Sequence, residues 1–249
     1  MDLSLRDQTI MVAAASRGLG YAIALECARE GARVSIASRG REAIEAAAAA
    51  IREETGATVL PHVFDARDAE SIDGWATATE AELGPVDGLV INAGGPPSGG
   101  FSDFSDEDWQ AAFELTLLSA VRMARAVVPG MKARGRGSIL TITSSSVKEP
   151  IDIILLSNVM RSGVTALVKS LSLELAGSGI RVNNLMPGII DTDRVASLDA
   201  ARGAKQGISA EDARAKHEGS LPMARYGQPS EFGKVAAFVL SDAASYVSG

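Results

Sequence analysis

The chain has 249 residues, of which 46% are hydrophobic and 22% charged, proportions typical of a soluble globular protein. Its formal net charge of −7 argues against nucleic acid as the main partner, because phosphate binding requires a basic surface. The single cysteine, Cys27, cannot form an internal disulfide, and His62 and His217 lie too far apart for a Cys/His metal cluster. No apolar run approaches the roughly 18–20 residues of a membrane span, and the N-terminus lacks a signal-peptide layout. We therefore expect a cytoplasmic protein without a metal or a membrane partner.

Short apolar strands alternate with longer helical stretches along the chain. Strands are predicted at 9–14, 34–37, 58–64, 87–91, 137–143 and 180–186, and helices at 18–30, 41–54, 68–83, 106–133, 157–176 and 229–240. This alternation is typical of right-handed βαβ crossovers, which place helices on both faces of a parallel sheet. We predict an α/β fold with one doubly wound, Rossmann-type sheet of six to seven strands. With no linker or repeat, residues 1–249 are expected to form a single domain.

Residues 191–221 depart from the alternation. The segment is polar, contains Gly203, Gly207 and Gly219, and follows Pro187-Gly188 at the end of the last predicted strand. It is expected to be a mobile insertion over the carboxyl edge of the sheet, where open α/β folds bind ligands. We predict that it is a substrate lid that becomes ordered only when a ligand is bound.

A glycine-containing turn connects the first strand to the first helix. The residues after the strand are Ser16-Arg17-Gly18-Leu19-Gly20. Glycines here let the backbone approach a pyrophosphate, and the helix N-terminus offers free N–H groups to it. The turn predicts a dinucleotide site, with an ordinary tight turn as the alternative.

The end of the second strand indicates which dinucleotide is bound. NAD-selective sites carry an acidic residue about 20 positions after the glycines, but this position is occupied by Ala37-Ser38-Arg39-Gly40. Arg17 and Arg39 could bracket a 2′-phosphate, which arginine binds in bidentate fashion. NADP(H) is therefore favoured and NAD(H) remains possible; the alternative is that both arginines are solvated surface residues.

Several motifs occur in the order found in short-chain dehydrogenases/reductases, and the chain resembles this family from about Leu5 to Gly249. The turn is similar to the family's Thr-Gly-x-x-x-Gly-x-Gly, with Ala13 and Ala14 in place of the threonine and the first glycine. The most similar members are the 3-oxoacyl-(acyl-carrier-protein) reductases. The resemblance implies that an adenine lies beside Asp65-Ala66 and that Thr192 bonds the carboxamide. The expected cofactor contacts are Ala14, Ser16, Arg17, Gly18, Leu19, Gly20, Arg39, Asp65, Ala66, Asn92, Ala93, Gly94, Arg161, Pro187, Gly188, Ile190 and Thr192.

The family reduces carbonyls with an Asn, Ser, Tyr, Lys tetrad, and the resemblance places Thr116, Ser144, Ser157 and Arg161 at these four positions. Only Ser144 matches, with Ser145 and Ser146 as adjacent alternatives. An aliphatic hydroxyl is a far weaker acid than the phenol of tyrosine, whose pKa is about 10. Arg161 could keep the lysine's contact with the ribose while staying charged.

Three functions remain open from the sequence. The first is an NADP(H)-dependent oxidoreductase acting on a small-molecule or acyl carbonyl with an altered proton donor. Lys148 is one candidate donor, and a solvated loop lysine is the alternative reading. The second is a non-catalytic dinucleotide-binding or regulatory protein, and the third a lyase or isomerase on the same scaffold.

The resemblance also implies a homo-oligomer, a tetramer or a dimer, formed through two helices. Helices 106–133 and 157–176 carry more apolar residues than one core-facing stripe needs. The alternative is that all of them face the core. The residues concerned are Ala120, Val121, Ala124, Val128, Val164, Leu167, Val168 and Leu171.

Overall fold

Six parallel strands form the centre of the molecule in the computed structural model, which describes residues 2–249. Their order in the sheet is β3-β2-β1-β4-β5-β6. The predicted doubly wound fold is confirmed, and the described residues contain no seventh strand. The strands are β1 Thr9–Ala13, β2 Arg33–Ser38, β3 Val59–Val63, β4 Val86–Ile91, β5 Gly137–Ile142 and β6 Ile180–Leu185.

Helices cover both faces of the sheet, and each face has its own apolar core. One core forms between side chains of the strands and helices α1, α2 and α9. The other core forms between side chains of the strands and helices α3, α5 and α6. None of the helices within residues 2–249 is both long and apolar enough to cross a bilayer. The helices are α1 Gly18–Arg29, α2 Arg41–Thr55, α3 Ala69–Leu83, α4 Asp106–Ala112, α5 Ser119–Arg134, α6 Leu155–Leu175, α7 Asp193–Gln206, α8 Ala210–Ser220 and α9 Pro229–Leu240.

The topology creates a crevice at the carboxyl edge of the sheet. From β1 the chain proceeds outward through β2 and β3, then returns to the other side of β1 for β4 to β6. The connections after β1 and β4 therefore leave in opposite directions, and the space between them is where open α/β sheets bind ligands. Every candidate site described below is at this edge.

The long helix predicted at 106–133 is interrupted. A π-helical turn, Phe113–Leu118, separates α4 from α5 and contains Thr116. A π-turn inserts an extra residue into the i→i−4 ladder and is frequent at functional sites. Hydrophobic periodicity does not reveal such an insertion, because apolar residues continue through it.

The segment 191–221 is helical rather than irregular, which corrects the expectation from its composition. Thr192 caps α7 by accepting from the Val195 amide, and Ser209 caps α8 by accepting from the Asp212 amide. Gly207, with φ 69°, ends α7 in the left-handed conformation that glycine adopts most readily. Glycine here therefore marks a helix boundary. Ligand-dependent ordering of the lid remains a prediction.

The apolar residues assigned to an oligomer interface divide into two groups. Four of them, Ala120, Ala124, Val164 and Val168, are buried in the core of the single chain. The core-facing alternative is correct for these four. The other four remain partly accessible, and all of them except Val121 pack against the same core: Val121, Val128, Leu167 and Leu171.

Two glycine-to-alanine substitutions should have opposite effects on stability. A Cβ on Gly20 would lie 2.4 Å from the Ala14 carbonyl oxygen, whereas one on Gly74, in α3, meets no atom within 4 Å. Gly20→Ala should lower the free energy of unfolding by about 1–3 kcal/mol through overpacking. Gly74→Ala should raise it by about 0.5–1 kcal/mol, because alanine loses less backbone entropy in a helix. Urea unfolding measures both changes, and a Gly20→Ala protein as stable as wild type would contradict this packing.

Candidate active site

The turn between β1 and α1 keeps a glycine-type conformation although alanine stands at its first position. Ala14 has φ 51° and Gly18 has φ 60°, both in the left-handed region. Alanine tolerates this region at a cost of about 1–2 kcal/mol. The methyl of Ala14 therefore strains the turn without changing its shape, and Gly20 packs directly on the Ala14 carbonyl.

The N-terminus of α1 is open to an anion. Arg17, at the N-cap, makes no side-chain capping hydrogen bond, so no cap occupies the free N–H groups of the first turn. The Arg17 side chain extends toward α7 instead, where Nη1 is 2.9 Å from the Asp193 carboxylate. The structure thus does not pair Arg17 with Arg39 as expected. Arg39 stands exposed at the end of β2.

The residues after β3 form a local ion pair. The Asp65 carboxylate accepts hydrogen bonds from Arg67, the shorter 2.7 Å long, and this partner, with a smaller effect from Arg39, lowers the pKa of Asp65. Ala66 is buried. Asp65, whose charge interacts with Arg39, is therefore already bound to another arginine.

The loops after β4 and β6 border open space. A Cβ on Gly94 or on Gly188 would meet no atom within 4 Å. The Thr192 methyl lies 3.7 Å from the position of a Cβ on Gly18, so the loop after β6 reaches the turn after β1. The glycines leave room for a flat, extended ligand along the crevice, and the donor groups around it suit a dinucleotide.

Ser157 and Arg161 form a hydrogen-bonded pair on the first turns of α6. Arg161 Nε donates to Ser157 Oγ at 3.1 Å, and Nη1 donates to the carbonyl of Ile142 at 2.8 Å and of Thr143 at 3.3 Å. Nη2 makes no hydrogen bond within residues 2–249. Burial, and then the charge of Arg194, lower the pKa of Arg161 to about 10. The guanidinium is held by strand carbonyls, with no carboxylate among the causes of this shift.

The other two tetrad positions make no hydrogen bond to this pair within residues 2–249. Ser144 caps a short 3-10 turn, where its Oγ accepts from the Ser146 amide at 3.1 Å and leaves its own proton free to donate. The Ser146 hydroxyl is buried without a partner, and Ser145 is partly exposed. Thr116 Oγ1 is also buried without a partner in the described chain. No hydrogen bond joins Ser144 or Thr116 to Ser157 within residues 2–249.

Sequence reasoning missed Arg194, in the first turn of α7. Its Nη2 donates to the Pro96 carbonyl at 3.3 Å and lies 3.1 Å from the position of a Cβ on Gly95. The side chain therefore crosses from α7 to the loop after β4. A cation two positions after the matched Thr192 was the available signal. Lys148, in contrast, is exposed.

A buried polar network connects α7 and α8, the two helices of the predicted lid, to the segment before α9. The Asp199 carboxylate, 2% exposed, accepts from Tyr226 Oη at 3.0 Å and from Arg202 at 2.8 Å. Arg202 also lies 3.1 Å from His217 Nδ1, so this nitrogen is the acceptor and Nε2 carries the proton. Burial and Asp199 raise the pKa of Tyr226 to about 12.

A cleft of about 610 Å³ opens between α7 and the loops after β4 and β5. Its volume is in the range of small-molecule sites. The lining residues are Ser98, Gly99, Ile151, Asp152, Ile153, Ala201, Arg202, Lys205 and Gln206.

Comparison with known proteins identifies the family. The family model described as enoyl-(acyl carrier protein) reductase matches residues 13–249. The bovine (Bos taurus) dehydrogenase/reductase SDR family member 4 is 34% identical over 98% of this chain and 85% of its own length. The chain belongs to the short-chain dehydrogenase/reductase family, as the motifs predicted, and it is an oxidoreductase of this type.

Two solved structures are also similar along nearly the whole chain. A variant of the actinorhodin polyketide ketoreductase, solved with NADPH, is 31% identical, has a TM-score of 0.93 and covers 97% of this chain and 93% of its own. An NADPH-bound short-chain oxidoreductase from Pseudomonas aeruginosa PAO1, described as containing an atypical catalytic center, is 29% identical with a TM-score of 0.86. The match covers 97% of this chain and 93% of that one.

Acid should loosen the lid through His217. Burial, then Arg202, hold the pKa of His217 below its ordinary value of 6.5, against the opposing charges of Asp199 and Glu218. Because the folded pKa is lower than the unfolded one, the stability that neutral His217 contributes is complete above the unfolded value. It is lost as the pH falls through the folded value.

Amide hydrogen exchange, corrected for intrinsic rates, should show α7 and α8 losing protection between about pH 7 and pH 5. His217→Gln should remove most of this pH dependence. His62, whose pKa is also lowered, is present in both proteins and cancels. The same loss of protection in His217→Gln would contradict the assignment.

Proposed function

We propose that this protein is an NADP(H)-dependent carbonyl reductase of the 3-oxoacyl reductase-like type, in which Ser157 and Arg161 together deliver the proton. The observation that carries the proposal is the 3.1 Å hydrogen bond from Arg161 Nε to Ser157 Oγ. Through this bond a cationic donor contacts the Ser157 hydroxyl, and Ser157 is the residue at the position where the family has tyrosine. Binding of NADPH by two similar reductases supports the choice of cofactor.

The carboxyl edge of the sheet supplies the cofactor contacts. The open α1 N-terminus and the Gly18 to Gly20 backbone suit the pyrophosphate, and Arg39 suits a 2′-phosphate. In this proposal the free Nη2 of Arg161 donates to ribose hydroxyls, and Thr192 bonds the carboxamide. When bound, the reduced nicotinamide supplies a hydride to the carbonyl carbon.

Proton delivery in this proposal is a concerted relay through two residues. Ser157 donates its hydroxyl proton to the substrate oxygen while Arg161 Nε–H passes a proton to Ser157 Oγ. Because both transfers occur together, no free serine alkoxide forms. Burial and the charge of Arg194 lower the pKa of Arg161 to about 10, so the guanidinium remains charged at neutral pH and is a stronger acid than an ordinary arginine.

Two further hydroxyls assist the carbonyl in this proposal. Ser144 accepts from the Ser146 amide, so its proton can polarise the substrate oxygen. Thr116 Oγ1, in the π-helical turn, is buried without a partner among residues 2–249, and a buried hydroxyl of this kind ordinarily holds a water. Such a water could return a proton to the Arg161 side of the site.

A non-catalytic dinucleotide-binding protein is the second candidate. The absence of a phenol at position 157 and the anchoring of Arg161 by two strand carbonyls favour it. Turnover separates the candidates: a binding protein takes up NADPH stoichiometrically and oxidises none across a panel of ketones and 3-oxoacyl thioesters.

The protein is also expected to be a cytoplasmic homo-oligomer, a tetramer or a dimer. The partly accessible apolar residues of α5 and α6 support this expectation. Light scattering at micromolar concentration should show more than one chain per particle, and a monomer would refute it.

NADPH should bind more tightly than NADH, and Arg39 should account for the difference. Arg39→Ala should weaken NADPH binding by about tenfold or more, the scale of a charge-assisted hydrogen bond, while leaving NADH unchanged. Arg17→Ala is the matched control and should have a smaller effect, because Arg17 is paired with Asp193. Titration of nucleotide fluorescence measures both. Equal affinity of wild type for the two cofactors would contradict the assignment.

Substitutions in the relay should have graded effects on turnover. Arg161→Met should lower kcat by about 10²–10⁴-fold, the range for a lost general acid, and Ser157→Ala should do the same. Arg161→Lys should retain more activity than Arg161→Met, because lysine still donates a hydrogen bond.

Restoring the family's tetrad should increase activity. Ser157→Tyr combined with Arg161→Lys and Thr116→Asn should raise turnover on a 3-oxoacyl substrate by about 10²-fold. No gain in this triple variant, with NADPH binding intact, would favour the binding-protein candidate.

A further inference from the structure

Arg194 is an accessible cation inside the crevice. The side chain leaves α7 and rests on the backbone of Gly95 and Pro96, in the loop after β4. Arg161 is bonded to the carbonyls at the end of β5, the strand next to β4. Neighbouring strands are about 4.8 Å apart, so two guanidinium groups approach the same part of the edge, and Arg194 contributes to the lowered pKa of Arg161.

The carboxylates adjacent to Arg194 in sequence are bound to other arginines. Asp193 pairs with Arg17 at 2.9 Å, and Asp191 accepts two hydrogen bonds from Arg214 at 2.9 Å and 2.8 Å. Partial burial is the only cause of the lowered pKa of Arg194. Ion pairing in the lid therefore leaves Arg194 without a counterion within residues 2–249.

Comparison with Arg181 shows that Arg194 also lacks neutral partners. Arg181 is a partly buried arginine that forms no ion pair within residues 2–249, and its two terminal nitrogens donate to the carbonyls of Val239, Leu240 and Ser241 at 2.8–2.9 Å. Arg194 makes a single hydrogen bond of 3.3 Å. A structural arginine satisfies its donors within the protein, whereas Arg194 keeps most of its five N–H donors available.

Arg194 lies on the same face of α7 as two residues that line the cleft described above. Arg194, Ala201 and Lys205 are separated by 7 and 4 positions on α7, a spacing that places them on one face of a helix. Ala201 and Lys205 line the cleft. Arg194 is on the same face, at the end of α7 that begins at the carboxyl edge of the sheet.

We propose that Arg194 binds a carboxylate of the substrate, so that the protein reduces a short oxo acid rather than a neutral ketone. The inference rests on the proposed reductase function and assigns its substrate class. Arginine presents parallel N–H groups that match a carboxylate in bidentate geometry. Binding at this position holds the neighbouring carbonyl between Arg194 and the Ser157–Arg161 pair.

Matched acids and methyl esters test the proposal. Pyruvate, acetoacetate and levulinate place the carboxylate one, two or three carbons from the carbonyl, and each methyl ester removes only the charge. With NADPH, at least one acid should have a kcat/KM about tenfold to a hundredfold above that of its ester, the scale of a hydrogen bond to a charged group. Arg194→Gln should abolish this preference of acid over ester, and Arg194→Lys should restore part of it. Arg6→Gln, an exposed arginine before β1, is the matched control.

Calorimetric titration of the same pairs in the presence of NADP⁺ makes the test independent of turnover. Acid-selective binding that Arg194→Gln removes supports the carboxylate site even if no carbonyl is reduced, in which case only the reductase proposal fails. Esters reduced as well as acids by wild type would overturn the carboxylate site and leave the reductase intact. An acid preference that survives in Arg194→Gln would also overturn it, as would binding of inorganic phosphate in preference to all three acids.

Discussion

Partial burial of the Arg161 guanidinium, with no carboxylate bonded to it within residues 2–249, is the constraint on which the site depends. A charged group enclosed by protein must be satisfied by dipoles or lose stability. Here the carbonyls of Ile142 and Thr143 and the hydroxyl of Ser157 supply these dipoles. They fix the plane of the guanidinium at the end of β5, orient Ser157, and leave Nη2 free. A carboxylate in their place would neutralise the cation and raise its pKa, and the site would lose its acidic proton donor.

The ion pairs formed by Asp191 and Asp193 determine which arginines of the predicted lid remain free to bind a ligand. Asp193 and Asp191 bind Arg17 and Arg214, which connects α7 to the turn after β1 and to α8. Exposed pairs of this kind contribute about 0–1 kcal/mol each, so their main effect is on position. They hold α7 over the crevice while leaving Arg194 unpaired. The buried Asp199 network provides the larger share of the attachment, because breaking a buried pair costs far more than breaking an exposed one.

Local sequence patterns were sufficient to predict the parallel sheet and the turn after β1. Alternating apolar strands and helices predicted the parallel sheet, and the glycines at 18 and 20 predicted the turn that faces the crevice. Contacts between distant residues were not predictable in this way. The Arg17–Asp193 ion pair joins positions that are 176 residues apart in the sequence. No local sequence pattern distinguishes an arginine that forms such a pair from an arginine that is free to bind a phosphate. The helices of the lid were missed because their polar faces and terminal glycines resemble a loop in composition.

The altered tetrad shows the same difference between features that local sequence predicts and features that depend on tertiary packing. Spacing from Ser144 located Ser157 and Arg161, but their hydrogen bond depends on the rotamer that Arg161 adopts beneath β5. Tertiary packing likewise determines the π-helical turn that contains Thr116. It also determines the position of the Arg194 side chain, which extends from α7 to the loop after β4. Ser157 taken alone is too weak an acid, and only its pairing with a buried cation gives it a chemical role.

The pH dependence of carbonyl reduction tests this role most directly. Single-turnover oxidation of NADPH should proceed at a constant rate at neutral and mildly alkaline pH and should decline as Arg161 deprotonates, at a pH of about 10. In Arg161→Lys the decline should move to lower pH, because burial depresses the pKa of a lysine below its ordinary value of about 10.4. An unchanged rate and profile in Arg161→Met would contradict the account and require a different proton donor.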